Sequence, residues 1–183
     1  ETAPGAYAVP EKYIEGFEVA KKNDLDVVFV VGYNNDVVVP GEMPPSSPQG
    51  IVAYAEFAHH LTLDTKEWAA GYEVYNEWNV LDPFNRDQLP ASKYVDLIKP
   101  TYKRIKDANP NAKVYGLSGL TWNRNDIDKY GEYSYQTMAE EMFANGVANY
   151  CDGFSMHPYA HKGSPDDGIS LECIEFTRGL MKK

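Results

Sequence analysis

The residues most able to do chemistry sit in one stretch, Tyr72-Glu73-Val74-Tyr75-Asn76-Glu77-Trp78-Asn79. It begins as a short strand over Gly71 to Tyr75, rich in aromatic and β-branched side chains. It ends abruptly in an amide, a carboxylate and an indole. Together these offer hydrogen bonding, proton transfer and ring stacking at one place. Cleavage of a bond between sugar units uses all three: a carboxylic acid protonates the leaving oxygen, and sugar rings stack their C–H faces on aromatics. The plainer alternative is a strand end running into a helix cap, where Asn and Glu are common. On this stretch alone the two readings stand even.

The elements around it must position these groups. Ahead of it, Pro10 opens a helix carrying Tyr13, Ile14, Phe17 and Ala20 as far as Asn23. The apolar run Leu25 to Val31 reads as a strand covered on both faces, ending in Gly32-Tyr33-Asn34-Asn35. Asp36 to Gly50, with four prolines, is a long loop, and Ser47-Pro48 caps a helix whose stripe is Ile51, Tyr54, Ala55, Ala58 and Leu61. After the Gly71 strand and a loop over Leu81 to Leu89, a helix runs from Pro90 to Ala108. Its apolar side is Tyr94, Leu97, Ile98, Tyr102 and Ile105, and Pro100 should kink it. A third strand, Lys113 to Leu117, ends in Ser118, Trp122 and Asn123. A helix follows from Ser134 to Asn145, then a fourth strand, Gly153 to Met156, ending in His157-Pro158-Tyr159. A last helix spans Ser170 to Met181.

Strand centres at Val28, Val74, Val114 and Phe154 recur at a βα-unit period, which points to parallel strands with crossover helices. An open doubly wound sheet and a (β/α)8 barrel both fit. A doubly wound nucleotide binder should show a glycine-rich turn after a strand, and neither GxGxxG nor GxxxxGKS occurs. Instead all four strands finish in polar and aromatic residues, as strands do at the C-terminal rim of a barrel, where barrel active sites lie. A barrel needs about 250 residues and eight units. Residues 1–183 hold four, so they are expected to be the central part of a larger barrel catalytic domain, with the remainder supplied by the same longer chain.

Composition agrees and excludes several classes. With 183 residues, 43% hydrophobic, the chain can bury a core. A formal net charge of −10 argues against a nucleic-acid or anionic-membrane partner. No apolar run approaches the roughly 18 residues of a membrane helix. Cys151 and Cys173 form no CxxC and have no His at ligand spacing, so two free thiols are the plainer reading and no metal or other cofactor is expected.

With four strand ends in register, the chain resembles the retaining glycoside hydrolases of clan A, (β/α)8 enzymes, and within them most the family 39 enzymes and their relatives. Pro4-Gly5-Ala6-Tyr7 is similar to the segment after their second strand, and Phe29 to Asn35 to their third. Tyr75-Asn76-Glu77-Trp78-Asn79 is similar to the fourth-strand Asn-Glu-Pro-Asn signature, with Trp78 in place of the proline. Asp152 to Tyr159 is similar to the sixth strand and its His-Pro-Tyr ending. The chain would thus run from the loop after the second strand to the sixth helix. The resemblance implies an O-glycosyl hydrolase acting on a β-linked oligo- or polysaccharide by a retaining mechanism, without cofactor. Glu77 would be the general acid/base, and Asn76 would bind the sugar 2-hydroxyl. His157 and Tyr159 would orient the nucleophile and the sugar. The nucleophilic Glu would lie on a strand beyond Lys183. A polysaccharide substrate implies secreted or periplasmic location, of which the sequence itself carries no sign.

Other candidates divide. Tyr33 and Asn34, with Asn35, either bind hydroxyls or turn the chain. Trp78 and Trp122 either stack on sugars or pack under loops, with stacking favoured for Trp122. Glu73 shares a side with Glu77 by strand alternation but lies deeper, and reads better as a buried carboxylate paired to a base. His59-His60 reads as surface rather than metal ligand, since adjacent helical residues diverge by about 100°. The rival to an enzyme is a non-catalytic carbohydrate-binding barrel. A metal-dependent hydrolase is disfavoured because no strand ends in HxH.

Overall fold

The computed structural model describes residues 5–32, 36–80, 90–122, 134–159 and 168–182. Among them are five helices and four strands in the order α1 (Glu11–Lys22), β1 (Val27–Val31), α2 (Pro48–Thr65), β2 (Ala69–Val74), α3 (Ala91–Ala108), β3 (Val114–Thr121), α4 (Tyr135–Ala144), β4 (Gly153–His157) and α5 (Ile169–Leu180). The strands form one sheet in the order β1-β2-β3-β4, parallel throughout.

Side-chain alternation separates the two faces of this sheet. On one face Phe29 meets Phe17 of α1, the Tyr72 hydroxyl meets Thr65 of α2, Gly116 lies beneath Ile98 of α3, and Phe154 meets Phe143 of α4. The other face carries Val28, Val30, Glu73, Tyr115 and Ser155. Gly71 and Gly153 flank the Tyr115 ring there, and a Cβ on Gly71 would come within 2.4 Å of it. Sequential strand order with the crossover helices on one side is a singly wound sheet. That is the arrangement of a barrel wall, whereas a doubly wound sheet reverses order and covers both faces.

β1 departs from expectation in one respect. Its unbroken apolar run suggested cover on both faces, yet Val28 and Val30 are 49% and 48% exposed. They lie on the face away from the helices, which a closed barrel turns inward.

The core lies between sheet and helices, with Tyr72, Val74, Val114, Leu97, Ile98, Ile105, Met138 and Met142 buried. Helix starts follow their sequence signals. Ser47 accepts a hydrogen bond from the Gly50 amide with Pro48 in the first turn, and Ser134 accepts from the Thr137 amide. Pro100 sits inside α3 without ending it.

β3 runs past the expected end at Leu117. Leu117, Ser118 and Gly119 have φ of 66°, 56° and 54°, and pairing with β4 resumes at Leu120 and Thr121. The sequence reading ends the strand at Leu117, but the chain bulges and returns to the ladder. The Ser155 hydroxyl spans the bulge, accepting from the Gly119 amide and donating to the Gly116 carbonyl.

Candidate active site

The strand that carries Glu77 breaks its own geometry to present it. Tyr75 and Glu77 have φ of 67° and 48°, in the left-handed region that residues other than glycine seldom adopt. The Tyr75 amide still donates to the Val31 carbonyl of β1, and two buried tyrosines brace the kinked backbone beside it. Tyr54, from α2, accepts from the Tyr75 amide at 2.9 Å and donates to the Val31 carbonyl. Tyr94, from α3, donates to the Val74 carbonyl at 3.0 Å. Burial raises both phenols well above their ordinary range, so they remain neutral donors. The Glu77 amide donates to the Ser118 carbonyl of the β3 bulge, and the Glu77 carbonyl accepts from Val80, closing a 3-10 turn over Trp78–Val80.

Asn79 completes the frame. Its side-chain amide donates to the Thr121 carbonyl and accepts from the Thr121 amide, both at 3.0 Å. It thus ties the turn after β2 to the end of β3 as an extra rung would.

On this frame the Glu77 Oε1 lies 2.7 Å from His157 Nδ1, bringing together the ends of β2 and β4. Both side chains are about a quarter exposed, at 23% and 25%, which leaves room for a ligand to approach. The Tyr159 hydroxyl lies 3.3 Å from the same nitrogen. Its pKa is raised, by burial first and then by the negative charge of Glu77 beside it. Asn76 is half-buried at the strand end immediately before Glu77. Glu73 is buried, and its Oε1 lies 3.9 Å from His157 Nε2. It is the buried carboxyl beside a base that the sequence reading favours for this position.

The structure therefore gathers Asn76, Glu77, His157 and Tyr159. The resemblance implies that His157 and Tyr159 orient the nucleophile and the sugar; in the structure His157 Nδ1 also meets Glu77. The two tryptophans are corrections. Trp78 is 2% exposed and packs edge-on against Tyr75 and Tyr94, while Trp122 is 5% exposed against Tyr135 and Phe176. Helix aromatics already occupy the space over both rings, so neither offers a face to a sugar. Tyr33 and Asn34 lie outside the described residues. Among the described residues no group of His, Cys, Asp or Glu could hold a metal ion. His59 Nδ1 meets the Arg104 carbonyl, and His60 stacks on Tyr7. Cys151 and Cys173 are unbonded thiols, pushed by burial up to about 12 and about 11.

The sequence reading gave no role at the site to Tyr54, Tyr94, Asn79, Ser155 or Gly119. A signal existed for the tyrosines: a phenol on the inward stripe of a helix must find a polar partner. Pairing across strands gives the others their tasks, and no local pattern encodes it.

No protein-family model matches the sequence, and no curated protein matches it. Solved structures do match. A family 39 glycoside hydrolase from the gut symbiont Bacteroides cellulosilyticus superposes with a TM-score of 0.69 and 24% identity, over 91% of this chain and 32% of its own. The endo-β-1,4-mannanase from Thermotoga petrophila matches at 0.59 and 15% identity, over 98% of this chain and 47% of its own. A family 86 glycoside hydrolase in complex with neoagarooctaose matches at 0.58 and 14% identity, over 94% and 32%.

The fold is part of a (β/α)8 barrel.

The chain spans between about a third and a half of the length of these barrels. All three matched proteins are glycoside hydrolases, and the family 39 likeness read from the strand ends is met by the first of them.

Proposed function

We propose that this chain is the acid/base-bearing part of a retaining glycoside hydrolase that cleaves a β-linked oligo- or polysaccharide. The observation that carries the reading is the Glu77 carboxyl, partly exposed at a parallel-strand end and held at 2.7 Å by His157 Nδ1. A carboxyl fixed on one side and open on the other is suited to pass a proton to an arriving oxygen.

In the first step Glu77 gives its proton to the glycosidic oxygen while a carboxylate from outside residues 1–183 attacks the anomeric carbon. The carbon–oxygen bond breaks and a glycosyl ester forms. In the second step Glu77, now a carboxylate, takes a proton from water as that water attacks the anomeric carbon, and the ester carboxylate departs. Asn76 holds the sugar 2-hydroxyl, a contact that strengthens as the oxocarbenium-like state develops. Tyr159, 46% exposed, borders the same opening.

The test uses the full-length protein and aryl glycosides with good and poor leaving groups. Glu77→Gln keeps the shape and removes the proton, so kcat/KM on poor leaving groups should fall by roughly 10²–10⁴-fold, and on activated ones far less in the glycosylation step. The first-formed product should retain the β configuration by NMR. Equal loss on both substrate classes, or an inverted product, overturns the reading. Glycan binding without any hydrolysis would instead favour the non-catalytic barrel.

A further inference from the structure

Glu73 is the acid this mechanism leaves without a task. It is 6% exposed, and its Oε1 has no hydrogen-bond partner among the described residues. That oxygen is aimed at the other edge of His157, 3.9 Å from Nε2. The space between them is kept open by Gly119, where a Cβ would come within 2.6 Å of Nε2 and 2.7 Å of Oε1. A desolvated carboxyl is a cost to folding that an apolar side chain would not carry. Its placement on the imidazole axis opposite Glu77 gives it an electrostatic consequence.

A neutral imidazole carries one proton, on one nitrogen or the other. With the proton on Nδ1, His157 donates to Glu77 and favours its carboxylate. With the proton on Nε2, Nδ1 can only accept, and the hydrogen bond requires Glu77 to bring the proton. Nε2 faces a carboxyl oxygen, so an N–H there meets negative charge, whereas a bare Nε2 would set lone pair against lone pair.

We propose that Glu73 is a positioning residue for the catalytic proton: by drawing the imidazole proton of His157 to Nε2, it leaves Nδ1 as an acceptor and holds Glu77 in its acid form. The inference rests on Glu77 being the general acid. Glu73, His157 and Glu77 then share two protons. The groups facing these three are Tyr159 beyond β4, Tyr115 beside Glu73 on β3, and the phenols of Tyr54 and Tyr94 from α2 and α3. No lysine or arginine of the described residues is among them. Burial raises the Glu73 carboxyl above its ordinary value and the nearby Glu77 adds to the rise, while the Ser155 hydroxyl and His157 pull it down.

The experiment reads the His157 ring directly in the full-length, ¹⁵N-labelled protein. Long-range ¹H–¹⁵N correlation at neutral pH should show the Nε2–H tautomer, with His157 identified by loss of its signals in His157→Gln. In Glu73→Gln the ring should shift towards Nδ1–H. The basic limb of the kcat/KM profile should move to lower pH by about one unit, as removal of a nearby negative charge requires. A wild-type ring protonated on Nδ1 overturns the proposal, as does a Glu73→Gln protein with unchanged tautomer and unchanged limb. Should Glu73→Gln not fold, the wild-type tautomer alone decides. The ring spectrum needs no turnover, so its failure is distinct from failure of the glycosidase reading, which the leaving-group and anomer assays report.

Discussion

Replacing Gly119 with alanine tests whether the His157–Glu77 contact matters to activity. The new methyl would sit 2.6 Å from His157 Nε2 and 2.7 Å from Glu73 Oε1. Ordinary carbon contacts begin near 3.5 Å, so the neighbours must yield by about 0.8 to 0.9 Å. Glu73 is packed in the sheet and His157 is a quarter exposed, so the ring is the part that moves. Moving it by that amount along its own axis, with Glu77 fixed, stretches or crushes the 2.7 Å bond to Oε1 beyond hydrogen-bond geometry. Misplacement on the order of 1 Å at a reacting group lowers rates by about 10²-fold. A loss of that size in kcat/KM is expected. The left-handed φ of 54° adds a backbone penalty of about 1–2 kcal/mol for alanine, seen in denaturant unfolding. Gly41→Ala supplies the control: its φ is 75° and a Cβ there meets nothing within 4 Å, so it carries the backbone penalty alone. Steady-state kinetics on both variants, with circular dichroism to establish folding, separates the two effects. A folded Gly119→Ala protein with wild-type kcat/KM would refute the argument.

Three further outcomes are expected. Asn76→Ala should lower kcat/KM on substrates with a free 2-hydroxyl and leave 2-deoxy analogues little changed; an equal loss on both, measured side by side, would make Asn76 a structural strand end. Tyr94→Phe should lower unfolding free energy by about 1–3 kcal/mol in urea titrations, because the Val74 carbonyl loses its buried donor. Asp152→Asn tests pH dependence: burial alone would raise this carboxyl, but hydrogen bonds from Lys106 and the Val114 amide hold it below its ordinary value. A depressed pKa gives stability that is present above the ordinary carboxylate range and lost as pH falls through the folded-state value. The wild-type advantage over Asp152→Asn should therefore vanish on acidification below about pH 4, and an advantage unchanged there would remove the carboxylate as its source.

Much of the fold was legible because periodicity reports it. The inward stripe of α3 was read as Tyr94, Leu97, Ile98, Tyr102 and Ile105, and all but the partly buried Tyr102 are fully buried. The polar strand ends located the rim, and Asn76, Glu77, His157 and Tyr159 were named from them. The misreadings have a common cause. Trp78 and Trp122 were placed at the rim by sequence position, but a side chain near a rim can turn towards the helices, and a single strand does not say which way. β3 was ended at Leu117, and only its pairing with β4 shows a bulge and a return to the ladder. The side Glu73 faces followed from alternation along β2, whereas the identity of the base depended on β4, two strands away.

The phenolic bonds of Tyr54 and Tyr94 also bear on motion. The Tyr75 and Glu77 amides lie beyond the end of β2, where fraying would be ordinary, yet both end on buried acceptors. Their hydrogen exchange should resemble that of core strand amides rather than of a loop. On the proposed reading, a backbone that opens only with the core cannot carry Glu77 out to meet a substrate. If the proposed glycosidase reading holds, the sugar would have to be brought to a carboxyl whose backbone stays in place, and discrimination between glycans would fall to the groups that move.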